Sequence, residues 1–188
     1  MRIVMLRHGL TQTNLKKQYI GRIDDPLCAE GIDALSKNKP DESVLKVYTS
    51  GKIRTKQTAR ILYPNAEIIQ CGDLDEIDFG DFEGKSYADL VNNPDYVQWL
   101  ESGCSRTCPN GEDKKHFTDR CVRTFLDIVQ IETAPLYFVV HGGTIMAILS
   151  ALSATQRDYF SWSVPCGTGY ELEYSDEKLV LIRERGAL

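Results

Sequence analysis

The sequence predicts an α/β fold, a three-layer sandwich in which a mostly parallel central sheet is flanked by helices. Three observations support this prediction. Short apolar runs typical of buried strands alternate with longer stretches that have helical spacing. Two of the apolar runs end directly in histidine and glycine, at the sheet edge where α/β proteins place their ligands. The chain then closes with two strands joined by a short polar turn, which adds an antiparallel hairpin.

Residues 1–70 predict three strands, each separated from the next by helical segments. The predicted strands are residues 2–7, 44–48 and 67–70, and the predicted helices begin near 11–13 and cover 29–38 and 52–62. Proline closes both of the longer helices, because it lacks the backbone donor that a continuing helix needs. Ser50 is predicted to cap the helix that carries Arg54.

Residues 72–111 predict a cap-like segment inserted between sheet elements of a single domain, residues 1–188. Its acidic first part, 72–86, predicts a loop over the site, and the helical pieces that follow are broken at Asn93-Pro94. The remaining predicted elements are a helix over 112–132, a strand over 136–140, a helix over 144–152 and strands over 169–174 and 178–183.

Composition excludes several classes of protein. A net charge of −5, from 22 basic and 27 acidic residues, argues against a nucleic-acid or lipid-binding surface. No apolar run approaches the ~20 residues of a membrane span, and the first strand begins at once, so a cytoplasmic protein without a membrane segment is expected. The six scattered cysteines predict free thiols.

Two predicted strands end alike, in Leu6-Arg7-His8-Gly9 and in Val140-His141-Gly142-Gly143. If the strands are neighbours, both imidazoles face one pocket. Either histidine alone is more often a turn or cap residue, but the matched pair predicts function. A guanidinium grips an anion with two parallel hydrogen bonds, and a neutral imidazole can attack as a nucleophile. The combination predicts phosphate chemistry.

Three further residues are candidates for this site, each with a plainer alternative. Arg54 can reach the same sheet edge, although a solvated helix arginine is the commoner fate. Asn14 can donate an amide hydrogen or simply cap a helix, whereas Lys52 and Lys56 are predicted to be surface charges. Glu76 lies in an acidic, solvated-looking stretch, but transfer of a phosphoryl group to histidine needs an acid for the leaving oxygen.

Several blocks of the sequence form an ordered pattern. They are Leu6-Arg7-His8-Gly9 through Asn14, Gly21-Arg22-Ile23-Asp24-Asp25-Pro26-Leu27 with Gly31, Tyr48-Thr49-Ser50 through Arg54 to Ala59, Leu74-Asp75-Glu76 with Gly80 to Gly84, and His141-Gly142-Gly143. Together these blocks resemble the histidine phosphatase superfamily, also called phosphoglycerate mutase-like. One departure is Leu10, where the family usually has an acidic residue.

The resemblance implies a role for each candidate. His8 is then the nucleophile that becomes phosphorylated, and Glu76 is the proton donor. The implied ligands of the phosphoryl oxygens are Arg7, Arg54, His141, Asn14 and the backbone amide of Gly142. No metal ion and no other cofactor is used in this family.

The implied activity is a metal-independent hydrolysis of a small phosphomonoester. The stretch between residues 86 and 111 is modest for a mutase, and residues 76–84 and 109–112 are similar to the α-ribazole phosphatase-type members. The alternatives are mutase-type phosphoryl transfer, a non-catalytic phospho-ligand binding module, and a metal-dependent hydrolase built on His8, His116 and His141. A small-molecule substrate is the expected partner, and a homodimer is left open.

Aromatic residues of the inserted segment also have two interpretations. Trp99, Phe82 and Tyr87 can line a substrate wall, but such residues more often form core, and that interpretation is favoured.

Overall fold

The protein is built around one six-stranded sheet, described in a computed structural model for residues 1–185. The strand order is β3-β2-β4-β1-β5-β6. The strands are β1 (Arg2–Arg7), β2 (Lys46–Thr49), β3 (Glu67–Gln70), β4 (Leu136–Val140), β5 (Gly169–Ser175) and β6 (Lys178–Arg185). β1 to β4 run parallel, and β5 and β6 form the antiparallel addition that the sequence predicts.

Helices cover both faces of the sheet. Within residues 1–185, no helix is long and apolar enough to cross a bilayer. The helices are α1 (Gln12–Leu15), α2 (Ala29–Ser36), α3 (Ile53–Leu62), α4 (Tyr87–Leu90), α5 (Pro94–Glu101), α6 (Lys114–Ile131) and α7 (Gly142–Leu152), with short 3-10 turns at Gly72–Leu74, Gly80–Phe82 and Tyr159–Trp162.

Alternation along β1 shows why three layers form. Ile3 and Met5 point to the face that packs against α6 and α7, whereas Val4 and Leu6 point to the face that packs against α2 and α3. Successive side chains of a strand alternate between faces, so an unbroken apolar strand must be covered on both sides. The predicted sandwich is confirmed.

The segment between β3 and α6 has an apolar cluster of its own, formed by Phe82, Leu90, Tyr96, Trp99 and Cys108. The helix break predicted at Asn93-Pro94 is present. Asn93 accepts hydrogen bonds from the first amides of α5, and Pro94 occupies the first turn, where no donor is required. Phe82 and Trp99 are therefore core residues, as favoured, whereas Tyr87 is exposed.

Two predicted boundaries are corrected. Ser50 does not cap α3: Lys52 is the N-cap residue without a side-chain bond, and the Asp24 carboxylate accepts from the Ile53 amide at 2.7 Å instead. The helix predicted to begin at residue 144 begins at Gly142, immediately after β4.

Candidate active site

Adjacent strands bring the two strand-end histidines together. β1 and β4 are parallel neighbours with Arg7 opposite Val140, so His8 and His141 follow at the same sheet edge. Their ring centroids are 5.2 Å apart, with the rings 65° from parallel, and both side chains are buried. The two imidazoles face one site, as the sequence predicts.

Hydrogen bonding defines the tautomer of His8. Its Nδ1 lies 2.7 Å from the carbonyl oxygen of Gly9, which can only accept, so Nδ1 carries the proton and Nε2 keeps its lone pair. Burial lowers the pKa of His8 well below 6.5, and the charges of Arg54 and Arg7 lower it further. His8 is therefore a neutral imidazole near pH 7, the form required for nucleophilic attack.

His141 adopts the opposite tautomer. The Nε of Arg54 lies 3.4 Å from its Nδ1 and can only donate, so the proton of the neutral ring resides on Nε2, which donates to Oγ of Ser50 at 2.7 Å. Burial and then the Arg54 charge lower the pKa of His141 well below its usual value. The sequence predicts a capping role for Ser50, yet this residue follows β2 just as His8 follows β1, and it belongs to the site.

Both arginines lie beside the histidines. Arg54 is fully buried, so the solvated-helix alternative is wrong, and its guanidinium donates to the Ile23 and Gly21 carbonyls at 2.7 and 3.3 Å. Arg7 donates through Nη1 to Val164 at 2.8 Å, but its buried Nε has no hydrogen-bond partner among the described residues. A buried cationic donor without a partner is uncommon and indicates a position for an anion.

Glu76 is drawn into the same site rather than remaining in a solvated loop. Its Oε2 accepts from the Gly143 amide at 2.9 Å and its Oε1 from the Ile77 amide at 3.0 Å. Burial raises the pKa of Glu76, although the two amides and the nearby arginine charges oppose that rise. A carboxyl group with a raised pKa is suited to donate a proton near neutral pH.

Asn14 and Gly142 lie at the borders of the site. Asn14 Oδ1 accepts from the Thr11 amide and hydroxyl, both at 3.2 Å, in a reciprocal capping box, so the capping alternative describes its contacts. A Cβ on Gly142 would lie 3.4 Å from the Nε of Arg7. Gly142 thus opens α7 with free space beside the arginine, at the helix end that favours anions.

The prediction that Lys52 is a surface charge is wrong. Its side chain is only 18% exposed and pairs with Asp75 at 3.2 Å, so it is not a surface charge. It lines a polar cleft of about 490 Å³ together with Arg22, Glu76 and His116. His116 contacts Glu112 at 2.8 Å in this cleft, whereas His8 and His141 face each other.

A second cavity, of about 480 Å³, borders Glu76 and Gly143 with mainly apolar side chains. Its volume lies within the range of small-molecule sites. The aromatic and sulfur-bearing members of its lining include Tyr19, Phe79, Trp99, Met146, Tyr159 and Phe160. Glu76 is therefore placed between a polar cleft and an apolar cavity.

Comparisons with known proteins show the family and the fold of this chain. A model of the histidine phosphatase superfamily (branch 1) matches residues 3–185. The chain is 29% identical over 164 residues to an adenosylcobalamin/α-ribazole phosphatase of Salmonella typhimurium, covering 81% of this chain and 79% of that protein. Its fold matches the α-ribazole phosphatase from Shigella flexneri, with a TM-score of 0.85 at 22% identity over 100% and 97% of the two chains. Phosphoglycerate mutase from Thermus thermophilus matches with a TM-score of 0.74 at 25% identity, over 99% of each chain.

Proposed function

Because the chain belongs to the histidine phosphatase superfamily, we propose that it hydrolyses a small phosphomonoester, without a metal ion, through a phosphohistidine on His8. One observation carries the proposal. The neutral His8 ring, with its proton held by Gly9, lies beside a second neutral histidine and two arginines, one of which has a buried donor without a partner among residues 1–185. This arrangement suits an anion that reacts at Nε2 of His8.

In the first step, Nε2 of His8 attacks the phosphorus atom. The P–N bond forms while the P–O bond to the alcohol breaks, and the leaving oxygen takes the proton of Glu76. Negative charge on the three remaining oxygens is stabilised by Arg7, Arg54 and His141. Asn14 and the Gly142 amide are proposed to assist at the border of the site.

In the second step, water attacks the phosphorus atom of the phosphohistidine. Its proton passes to the Glu76 carboxylate, the P–N bond breaks, and His8 regains its lone pair. Inorganic phosphate leaves, and Glu76 is protonated for the next cycle. The same two groups thus serve both halves of the reaction.

The apolar cavity beside Glu76 favours a leaving alcohol that carries a flat apolar group. Glu76 must contact the leaving oxygen, and it shares this cavity with the rings of Tyr159 and Phe160. Lys114 is the one cationic residue of the described lining, and its Nζ lies 3.7 Å from the centre of the Tyr159 ring. These features support α-ribazole phosphate, with its aromatic base, as the substrate over 3-phosphoglycerate and sugar phosphates.

A panel of phosphomonoesters tests the substrate. We expect α-ribazole phosphate to show the highest kcat/KM, and 3-phosphoglycerate and sugar phosphates to show lower values. Net isomerisation of 3-phosphoglycerate in place of phosphate release would favour mutase-type transfer. Stoichiometric binding of the esters with no phosphate release would favour a binding module. A cytoplasmic location stays a prediction of the sequence, and the oligomeric state stays open.

Replacing the nucleophile tests the mechanism. His8→Ala is expected to lower kcat by at least about a thousandfold, since the covalent step is lost, while the circular dichroism spectrum stays unchanged. Rapid acid quench should trap phosphohistidine in the wild-type protein and not in the variant. A metal-dependent hydrolase using all three histidines would instead lose comparable activity in His116→Ala and in the presence of a strong chelator.

A further inference from the structure

Glu76 is presented by an irregular segment, so its position requires support from elsewhere in the fold. It follows the 3-10 turn Gly72–Leu74 and belongs to neither a helix nor a strand. Arg120 of α6 provides that support. Its Nη1 donates to the carbonyls of Asp73 and Asp75, both at 2.8 Å, and its Nη2 donates to the carbonyl of Glu76 at 3.1 Å. One side chain thus binds three carbonyls around the proton donor.

Glu112 orients this guanidinium. Its Oε1 accepts from Nε of Arg120 and its Oε2 from Nη2, both at 2.8 Å, and the two side chains are each 12% exposed. The backbone of Glu112 also donates to the carbonyl of Asp78 at 2.9 Å. The planar fork of arginine is pre-organised for such a two-point bond, which lysine cannot reproduce.

We infer that the Arg120–Glu112 pair is a positioning device for the proton donor, an inference that rests on the proposed function. Arg120 contacts the backbone of the segment and leaves the Glu76 carboxylate on the amides of Gly143 and Ile77. A buried ion pair gives little net stability after desolvation, whereas placement of a catalytic group within a fraction of an ångström strongly affects rate. Arg120 is therefore a positioning residue that acts through Glu76.

Dependence on the leaving group separates this role from a merely structural one. A basic alkoxide needs the proton of Glu76, whereas p-nitrophenolate is stable enough to leave with little help. We choose 2-phenylethyl phosphate and p-nitrophenyl phosphate as the pair of substrates, because both carry an aromatic ring of similar size. A displaced Glu76 therefore slows hydrolysis of 2-phenylethyl phosphate far more than hydrolysis of p-nitrophenyl phosphate.

Arg120→Met is the test variant, and Arg123→Met is its control, because Arg123 is an exposed arginine of the same helix. Arg120→Met is expected to lower kcat/KM for 2-phenylethyl phosphate by about a hundredfold and for p-nitrophenyl phosphate by less than about fivefold. Arg123→Met is expected to change neither. Glu76→Gln should show the same selective loss on 2-phenylethyl phosphate. The double variant of Glu76 and Arg120 should be no slower than Glu76→Gln alone, because both substitutions impair the same proton transfer to the leaving oxygen.

Equal losses on the two substrates, or losses that multiply in the double variant, would overturn the positioning role. If Arg120→Met fails to fold by circular dichroism, Arg120→Lys carries the same comparison, because it keeps the charge but not the two-point bond. A wild-type protein inactive toward both substrates and toward α-ribazole phosphate would overturn the proposed function itself. An active wild type with no change in Arg120→Met, or in Arg120→Lys where the methionine variant does not fold, would overturn only this inference.

Discussion

Glu76 and His8 have pKa values shifted in opposite directions, and this predicts the pH dependence of activity. Burial lowers the pKa of His8, so the reactive neutral ring is lost only when the pH falls below that lowered value. Burial raises the pKa of Glu76, so its proton is lost when the pH rises above that raised value. We expect kcat/KM for an alkyl phosphomonoester to fall on both sides of a plateau.

Glu76→Gln provides the check on this profile. Without a titrating carboxyl group, the fall at high pH should disappear and the remaining activity should be uniformly low. The measurement is kcat/KM across the pH range for the wild type and the variant. An unchanged alkaline limb in Glu76→Gln would assign that limb to another group.

Gly143 is a glycine because Glu76 occupies the space of a side chain. A Cβ at residue 143 would lie 2.0 Å from Oε1 of Glu76. Gly143→Ala is therefore expected to displace the carboxylate and lower kcat/KM for alkyl phosphomonoesters by about tenfold to a hundredfold. Gly72→Ala is the matched control, because a Cβ there meets nothing within 4 Å. Full activity in Gly143→Ala would show that this placement of Glu76 is not required.

The local sequence pattern singled out the histidines that follow β1 and β4, but it did not reveal the burial of Arg54 or the roles of Ser50 and Arg120. His8 and His141 stand out because apolar runs end on them. The burial of Arg54 depends on the carbonyls of a distant loop, and its local sequence resembles any solvated helix. Arg120 lies 44 residues from Glu76 along the chain, and only the packing of α6 brings the two together.

At the scale of elements, the segment between β3 and α6 has its own buried cluster of Phe82, Leu90, Tyr96, Trp99 and Cys108, and this cluster is expected to stabilise the segment. Phe82 is fully buried, and its ring centre lies 5.3 Å from that of Tyr96 and 5.7 Å from that of Trp99. Phe82→Ala is expected to lower the free energy of unfolding of this cluster by about 3–5 kcal/mol, because it leaves a cavity. Tyr87→Ala, at a side chain 60% exposed, should have a much smaller effect.

Two experiments measure the destabilisation of Phe82→Ala. Limited proteolysis should cut Phe82→Ala within residues 72–111 before the sheet, because this cluster is separate from the two sheet cores. Urea unfolding followed by circular dichroism reports the global change. If cleavage within residues 72–111 is as slow as in the wild type, this segment does not open independently.

Element boundaries depart from prediction where tertiary contacts override local propensity. The helix α7 begins at Gly142 although two consecutive glycines disfavour a helix. The contacts of residue 143 explain this start. The Gly143 amide donates to Glu76, and a side chain at residue 143 would collide with the Glu76 carboxylate. A propensity argument places the start two residues later, since it contains no information about Glu76.

At the scale of the whole molecule, the sequence predicts the layers but not the full strand order. Alternating apolar runs are enough to predict a sheet covered on both faces. The positions of β2 between β3 and β4, and of β5 beside β1, depend on pairings between distant segments. The site needs β4 between β1 and β2, because His8, His141 and Ser50 follow these three strands, and the matched histidines pointed only to the neighbourhood of β1 and β4.

Glu171 connects three strands through ion pairs, and this predicts how stability depends on pH. Its carboxylate lies 2.7 Å from Arg2 of β1 and 2.7 Å from Arg183 of β6. Burial alone would raise the pKa of Glu171, but the hydrogen bond and charges of these arginines lower it overall. The carboxylate therefore contributes stability above its unfolded pKa of about 4.3, and that contribution is lost as the pH falls through the lowered folded value.

Glu171→Gln is accordingly expected to lower the free energy of unfolding by about 1–3 kcal/mol at neutral pH, a modest figure because both arginines are partly exposed. The gap between wild type and variant should close as the pH falls below about 4, since a protonated Glu171 resembles glutamine. Thermal melts from pH 7 to pH 3 measure the gap, with the exposed Glu173→Gln of the same strand as the control. A gap that stays constant with pH would mean that packing of β5, rather than charge, carries the contribution of Glu171.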